Sequence, residues 1–264
     1  MNTTHRMAEW TACLALATLC AGCASLSVPG SGGLRPVADG ETVEIARFSR
    51  RSEGDPLATH WEAFRIPLKP LTNYRYVRSD AGGALEARAE RSASALQRAV
   101  DIDPVVHSLL EWRWRVDEAV EGADKRRADR EDSPARLIVA FDGDAAKLDF
   151  EERATMRLAR ALTGRELPYA TLMYVWSNLH PAGTIIPNPR TSRVQMIVVE
   201  GGPERVGLWG EFRRDIVADF RRVFGEQPGR ISAVGVMTDA DNTQKRARCL
   251  YGDITFRRAA LPRM

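Results

Sequence analysis

The apolar residues of this chain fall mostly into short runs, and in several of these runs every second residue is apolar. Residues 110–116 alternate in this way, with Trp112 and Trp114 on the apolar face, which predicts a strand with one face in a core. Residues 136–141 are apolar almost throughout, as is typical of a strand buried on both faces. Similar runs predict further strands at 61–66, 74–78, 84–91, 95–100, 172–176, 194–199, 231–237 and 250–256. We expect 84–91 and 95–100 to pair as a hairpin.

Two segments have apolar residues at the three- and four-residue spacing of an amphipathic helix. Residues 149–162 place Ala154, Leu158 and Ala161 on one face. Residues 211–224 form a similar stripe that starts at Phe212 and is followed by glycine and proline, which end helices. Many short strands with only two helices predict a mainly β fold, an antiparallel β-sandwich with two α-helices.

The first 42 residues resemble an export signal followed by a tether. His5 and Arg6 precede an apolar stretch at 10–21 that is too short to span a bilayer. The stretch ends in Leu-Cys-Ala-Gly-Cys, which resembles the bacterial lipobox, with Cys23 as the lipidated first residue of the mature protein. The alternative is an ordinary signal peptide cleaved near Ala24. We expect residues 1–23 to be the signal, 24–42 a flexible tether rich in Gly, Ser and Pro, 43–258 a single domain and 259–264 a tail.

The lipobox interpretation also predicts where the protein resides. Ala24 and Ser25 follow Cys23, and the lack of Asp at the second mature position resembles an outer-membrane address. The expected location is the periplasmic face of the outer membrane, with the membrane as a partner through the lipid. Once Cys23 carries lipid, Cys249 has no partner for a disulfide.

Composition and charge exclude some classes of function. The 264 residues carry 38 basic and 35 acidic side chains, a formal net charge of +3, and this excess is too small to indicate nucleic-acid binding. Hydrophobic residues make up 44% of the chain, enough for a full core. The sequence holds neither a glycine-rich nucleotide fingerprint nor a Gly-x-Ser-x-Gly nucleophile motif.

Six segments together resemble a bacterial family known as domain of unknown function 3047. They are 111–116 (EWRWRV), 131–136 (EDSPAR), 172–177 (LMYVWS), 207–216 (GLWGEFRRDI), 238–243 (TDADNT) and 251–254 (YGDI). The resemblance covers about residues 43–258. It implies no activity, and it implies a jelly-roll-like β-sandwich akin to the galactose-binding-like folds, most of which bind glycans.

The richest group of polar residues in one segment is Asp239, Asp241, Asn242 and Thr243. The spacing does not fit an EF-hand, because the sixth position from Asp239 is Gln244 and the twelfth is Leu250. Three interpretations stay open: a turn held by its own Asx hydrogen bonds, a structural calcium bound by Asp239 and Asp241, and direct contact with a ligand. Apart from this calcium, we expect no cofactor.

Aromatic and basic residues supply the other candidates for ligand binding. Trp112 and Trp114 are expected in the core, whereas Trp209 lies between two glycines and is the better candidate for a sugar platform. The arginines at 113, 115 and 136 would either bind an anionic group or form cross-strand pairs with Glu111 or Asp132. The predicted ligand-binding set is therefore Trp209, Arg136 and residues 239 and 241–243.

These residues favour a non-catalytic carbohydrate or envelope-polymer binding protein. The alternatives are a glycoside hydrolase with acids from the 239–253 region and an assembly lipoprotein with a protein partner. Carboxylates available for hydrolysis are Glu200, Glu211, Asp215, Asp239, Asp241 and Asp253, but the sequence does not give their separations. His180, in a loop before Pro181, is the histidine that we single out for inspection.

Overall fold

The computed structural model describes residues 41–163, 166–189 and 191–259. Within these residues the chain forms thirteen strands and two α-helices. The strands are β1 Thr42–Ala46, β2 Glu62–Arg65, β3 Asn73–Ser79, β4 Gly82–Glu90, β5 Ala93–Ile102, β6 Leu109–Glu118, β7 Arg136–Phe141, β8 Ala170–Trp176, β9 Ile185–Asn188, β10 Thr191–Glu200, β11 Trp209–Asp215, β12 Ile231–Asp239 and β13 Arg246–Arg257. The helices are α1 Phe150–Thr163 and α2 Ile216–Phe224.

The strands form two sheets that share one core, which confirms the predicted β-sandwich. Sheet 1 has the order β11-β6-β13-β4-β3, and β1 also pairs with β13. Sheet 2 has the order β2-β5-β12-β7-β8-β10-β9. Neighbouring strands are antiparallel except β8 and β10, which run parallel because β9 returns the chain along the outer edge of β10.

The predicted alternation of β6 sets the boundary between core and surface in sheet 1. Trp112 and Trp114 are buried in the core between the sheets, as predicted, while Arg113 and Arg115 lie on the outer face. Trp112 bridges the two sheets, because its ring centroid lies 4.8 Å from that of Tyr174 in β8.

Sheet 2 is buried on both faces, as the uninterrupted apolar pattern of β7 indicates. All six residues of β7 are buried. Leu137 and Val139 face the core between the sheets, whereas Ile138 and Ala140 belong to a second apolar cluster on the outer face of sheet 2. Arg136 is on the same outer face, and it is the one charged member of the strand.

The predicted hairpin between residues 84–91 and 95–100 is wrong. β4 pairs with β3 and β13 in sheet 1, whereas β5 pairs with β2 and β12 in sheet 2. The chain crosses from one sheet to the other at Arg91, which has a positive φ of 48°. A connection this short is typical of a hairpin, and the sequence does not distinguish a hairpin from a crossover between layers.

The predicted helix at 211–224 begins five residues too early. Residues 209–215 form β11, which pairs with β6 at the edge of sheet 1. The helix α2 begins after Asp215, whose Oδ1 accepts hydrogen bonds from the N–H groups of Val217 and Ala218, both at 3.0 Å. At its other end Gly225, with φ of 73°, donates to the carbonyl of Arg221, as predicted for this glycine.

The helix α1 starts at the predicted position, but it packs differently from the prediction. Asp149 and Glu152 form a reciprocal capping box, with the N–H of Glu152 donating to Asp149 Oδ1 at 2.8 Å. Ala154 and Ala161 are exposed and Leu158 is 39% exposed, so the predicted apolar stripe does not face the core. Met156 makes the contact with the core instead.

The predicted signal, Cys23 and most of the tether lie outside the described residues. In the part of the chain that the structure describes, no helix has the length and apolar character needed to cross a membrane. Cys249 is a free, buried thiol in β13, and burial raises its pKa well above the usual range.

Candidate functional site

Five of the six residues predicted to bind a ligand lie together at one end of sheet 2. Arg136 begins β7 and Asp239 ends β12. Asp241, Asn242 and Thr243 lie in the turn that leads from β12 to β13. The sixth residue, Trp209, lies on sheet 1 and contacts none of the other five; its partners are Arg113, Arg115 and Asp80.

Asp132, from the loop before β7, holds this turn in place. Its Oδ1 accepts the N–H of Asn242 at 3.0 Å, and its Oδ2 accepts the N–H and the hydroxyl of Thr243 at 2.6 and 2.5 Å. The turn was expected to be held by its own Asx hydrogen bonds. The structure instead uses a carboxylate that is about 110 residues away in sequence.

Arg136 and Asp239 form a two-point ion pair in the interior. Arg136 Nε lies 2.9 Å from Asp239 Oδ1, Nη2 lies 2.9 Å from Oδ2, and both residues are 3% exposed. The N–H of Ser133 donates to Asp239 Oδ1 at 3.1 Å. This partner differs from the Asp132 partner predicted for Arg136.

Further charges complete what we call the buried ion network: Lys69, Lys125, Glu131, Asp132, Arg136, Asp239 and Asp241. Lys125 Nζ donates to the carbonyl of Asp132, and Lys69 Nζ lies 2.5 Å from Asp241 Oδ2. Burial raises the pKa of Asp239 to about 7, although Arg136 opposes this shift. Burial also lowers the pKa of Lys125 to about 7, and the neighbouring Arg136 adds to that effect.

The network offers one group of carboxylates with the spacing of a metal site. Asp132, Asp239 and Asp241 each bring an oxygen atom within 4.8 Å of the others, and calcium prefers such oxygen ligands. These carboxylates already have partners, however, since Arg136 pairs with Asp239 and Lys69 pairs with Asp241. Calcium would have to displace both cations, so the residues fit an internal ion-pair network better, and the predicted calcium stays a prediction.

Trp209 packs on the outer face of sheet 1 beneath two arginines. Its ring centroid lies 4.9 Å from the guanidinium carbon of Arg113 and 5.6 Å from that of Arg115. Its indole N–H donates to Asp80 Oδ1 at 3.1 Å. The half-buried ring therefore has arginine partners of its own, and its role as a sugar platform stays a prediction.

The arginines on sheet 1 have partners other than those predicted. Arg115 pairs with Asp117 and Asp80, both at 2.7 Å, rather than with Glu111. Arg113 donates to the carbonyl of Ala81 at 3.0 Å, and within the described ranges it pairs with no carboxylate. Asp117 lies on β6 itself and Asp80 lies in the turn between β3 and β4, so the predicted cross-strand pairing accounts for neither arginine.

An open groove of about 820 Å³ lies beside the edge strand β11, and we call it the Glu200 groove. Three segments form it, namely the β8–β9 loop, the end of β10 with the turn after it, and the start of β11. The lining residues are 177–182, 199–202, 204, 205 and 210–212. They combine an amide, an imidazole, carboxylates and a guanidinium with the apolar side chains of Leu179 and Phe212, a mixture that suits a ligand rich in hydroxyl groups.

Glu200 is the most firmly held carboxylate of this groove. It is 7% exposed, accepts the indole N–H of Trp114 at 2.8 Å and pairs with Arg205 at 2.7 Å. A Cβ atom on Gly210 would lie 2.6 Å from Phe212 Cζ and 2.8 Å from both Glu200 oxygens, so a larger residue here would displace these two side chains. Glu200 is one of the acids considered from the sequence, and no sequence pattern indicates these contacts.

His180 also lines the Glu200 groove. Its Nε2 lies 3.3 Å from Asp124 Oδ1, and its backbone N–H donates to Ser177 Oγ at 3.1 Å. The imidazole is thus oriented by a carboxylate from a different loop, and it faces the same groove as Glu200 and Glu211.

The carboxylates considered for hydrolysis separate into two groups. Glu200 and Glu211 line the Glu200 groove. The other four have structural partners: Asp215 caps α2, Asp253 accepts two hydrogen bonds from Ser49, and Asp239 and Asp241 are buried in the ion network. The 239–253 region therefore brings no pair of acids into this groove.

Comparison with known families identifies the chain. Residues 59–255 match the model of a family described as protein of unknown function (DUF3047). The chain belongs to this family. The match confirms the resemblance that the six sequence segments indicate, and no curated protein matches the chain.

Several solved structures resemble the fold weakly. A family 30 carbohydrate-binding module of a cellulosomal cellulase from Clostridium thermocellum has 10% identity and a TM-score of 0.36, over 83% of this chain and 99% of that one. A mannan-recognising module of family 27 has 11% identity and a TM-score of 0.32, over 84% and 100%. A glycoside hydrolase domain of Endo-D from Streptococcus pneumoniae R6 has 7% identity and a TM-score of 0.35, over 76% of this chain but only 22% of that one. Similarity at this level does not indicate a function.

Proposed function

We propose that this DUF3047 protein is a lipid-anchored protein of the cell envelope that binds a carbohydrate without catalysing a reaction. The observation that carries the proposal is the Glu200 groove, which is open, about 820 Å³ in volume and lined by hydrogen-bonding side chains around Leu179 and Phe212. Sugars need many hydrogen bonds and one apolar surface, and this lining supplies both.

The partners of Glu200 favour binding over hydrolysis. Glu200 is engaged by Trp114 and by Arg205, so it is a fixed hydrogen-bond acceptor. A glycoside hydrolase of the predicted kind would use acids of the 239–253 region, and Asp239 and Asp241 are buried away from this groove. If the protein is instead a hydrolase, Glu200 and Glu211 are the pair to substitute.

A glycan array probed with the full-length protein in detergent tests the binding proposal. We expect retention of a defined set of glycans, without release of reducing ends during prolonged incubation. Release of reducing ends that is lost in Glu211→Gln would establish the hydrolase alternative. Binding to no glycan would contradict the proposal.

The envelope location rests on the resemblance of residues 19–23 to a lipobox. Metabolic labelling with a fatty-acid analogue in a bacterial host should mark the wild-type protein, and Cys23→Ala should abolish the label. Fractionation should then place the labelled protein in the outer membrane. Labelling that persists in Cys23→Ala would contradict the predicted anchor.

A further inference from the structure

A second groove of about 500 Å³ lies on the outer face of sheet 1, and we call it the arginine groove. It is lined by Arg47, which directly follows β1, and by residues of β6, β11 and β13. Four arginines and three carboxylates contribute: Arg47, Arg113, Arg213 and Arg257, with Glu111, Glu211 and Asp253. Arg47 pairs with Glu44 just outside the groove and lies 3.6 Å from Asp253, so the positive charge that is left for a ligand is local to Arg113 and Arg213.

The carboxylates of the arginine groove leave guanidinium donors free. Glu111 is shared by Arg257 at 2.7 Å and Arg213 at 3.6 Å. Asp253 accepts two hydrogen bonds from Ser49, at 2.8 and 2.7 Å, so it is only partly available to an arginine. The side chain of Arg213 is 65% exposed, and in the described part of the chain its nearest ion-pair partner is Glu111 at 3.6 Å.

Arg113 is held in position without an acidic partner. It stacks on Trp209 and donates to the carbonyl of Ala81. It also lies across Gly252, where an added Cβ would be 2.3 Å from Arg113 Cγ. The glycine thus leaves the space that the arginine fills. A guanidinium fixed by its stem and ring contacts loses little side-chain entropy when it binds an anion.

The two grooves adjoin each other across the edge strand β11. Glu211 and Phe212 line both of them, although the Glu200 groove lies toward the β8–β9 loop and the arginine groove lies on the outer face of sheet 1. A ligand that occupies both grooves would have one part in the polar Glu200 groove and one part among the arginines.

We propose that the ligand is an acidic glycan, with its neutral part in the Glu200 groove and a carboxylate or phosphate group in the arginine groove. Arginine binds carboxylates and phosphates alike through two parallel N–H groups. The arginine groove would therefore favour a negatively charged group, whether a carboxylate or a phosphate carries the charge. The proposal rests on the proposed function, because it names the class of carbohydrate that the same protein binds.

Binding of four probes tests the proposal. Oligogalacturonate is compared with its carboxyl-reduced form, and a phosphomannan with its phosphatase-treated form. The full-length protein should bind at least one acidic probe more tightly than its neutral counterpart. Arg213→Ala should weaken that acidic binding roughly tenfold or more, because a charge-assisted hydrogen bond is lost, and should leave neutral binding unchanged. Arg65→Ala, an exposed arginine on β2, is the matched control and should have no effect.

The outcomes separate this proposal from the proposed function. Equal affinity for acidic and neutral probes, or equal effects of Arg213→Ala and Arg65→Ala, would overturn the acidic glycan while glycan binding itself stands. Arg213-dependent binding to anionic lipid vesicles without acidic-glycan binding would also overturn it. If the protein binds neither the four probes nor any glycan on the array, both the acidic-glycan proposal and the proposed carbohydrate binding are contradicted.

Discussion

Arg136 at the start of β7 and Asp239 at the end of β12 form a two-point ion pair that is almost fully removed from solvent. The pair joins two adjacent strands of sheet 2 at the point where the loop before β7 meets the β12–β13 turn. Breaking a buried pair leaves one uncompensated charge in the interior, which costs more than the pair itself contributes.

Removal of Arg136 should therefore destabilise the protein strongly. We expect Arg136→Met to lower the free energy of unfolding by about 3–5 kcal/mol, measured by urea denaturation at pH 8, where Asp239 is ionised and loses its partner. Adding Asp239→Asn should recover part of this loss, because the double variant no longer holds the unpaired carboxylate. Arg127→Ala, which breaks the exposed pair with Asp129, is the control and should show no measurable change. A small effect of Arg136→Met would contradict the stabilising role.

The buried ion network should also make stability depend on pH near neutrality. The folded pKa of Asp239 is raised to about 7, so its contribution is present below the unfolded pKa and is lost as the pH rises toward 7. The folded pKa of Lys125 is lowered to about 7, so its contribution is present only above the unfolded pKa and is lost as the pH falls toward 7. These two groups together should produce a minimum of stability near neutral pH.

Substitution of Lys125 tests the alkaline side of this minimum. Between about pH 7 and pH 10 the wild-type protein should gain stability by up to about 1.4 kcal/mol per pH unit, the slope for one proton. Lys125→Met should remove this rise, as measured by urea denaturation at several pH values. An unchanged slope in Lys125→Met would show that Lys125 is not the group responsible.

Much of the fold could be predicted from periodicity, and the errors have physical causes. The alternation in β6 and the apolar run of β7 fixed which faces are buried, since burial follows the spacing of side chains. The assignment of β4 and β5 to different sheets depends on a crossover at Arg91, which local sequence does not reveal. β11 was mistaken for the first part of a helix because Phe212 and Ile216 also fit the helical period.

The candidate site could be predicted only in part. Residues 239–243 were recognised as a polar cluster, but their partners Asp132 and Lys69 come from distant loops that only the tertiary fold brings together. The Glu200 groove has the same origin, because three separate segments line it. Glu200, Glu211 and His180 were noted in the sequence as isolated residues, and no pattern placed them in one groove.

The calcium prediction can be tested by thermal unfolding. Because Lys69 and Arg136 already pair with Asp241 and Asp239, we expect the melting temperature to be the same in millimolar calcium and in chelator. A rise in melting temperature with calcium that disappears in Asp241→Asn would show that the carboxylates bind the ion after all.

The most direct test of the central claim is to fill the Glu200 groove. Ala182 is exposed and lines the groove, so Ala182→Trp places a bulky ring where the ligand should lie without disturbing a buried contact. Ala63, exposed on β2, provides the matched control Ala63→Trp. For a glycan identified on the array, calorimetric titration should show that Ala182→Trp abolishes binding while Ala63→Trp binds as the wild type does. Undiminished affinity in a folded Ala182→Trp protein would contradict carbohydrate binding in this groove.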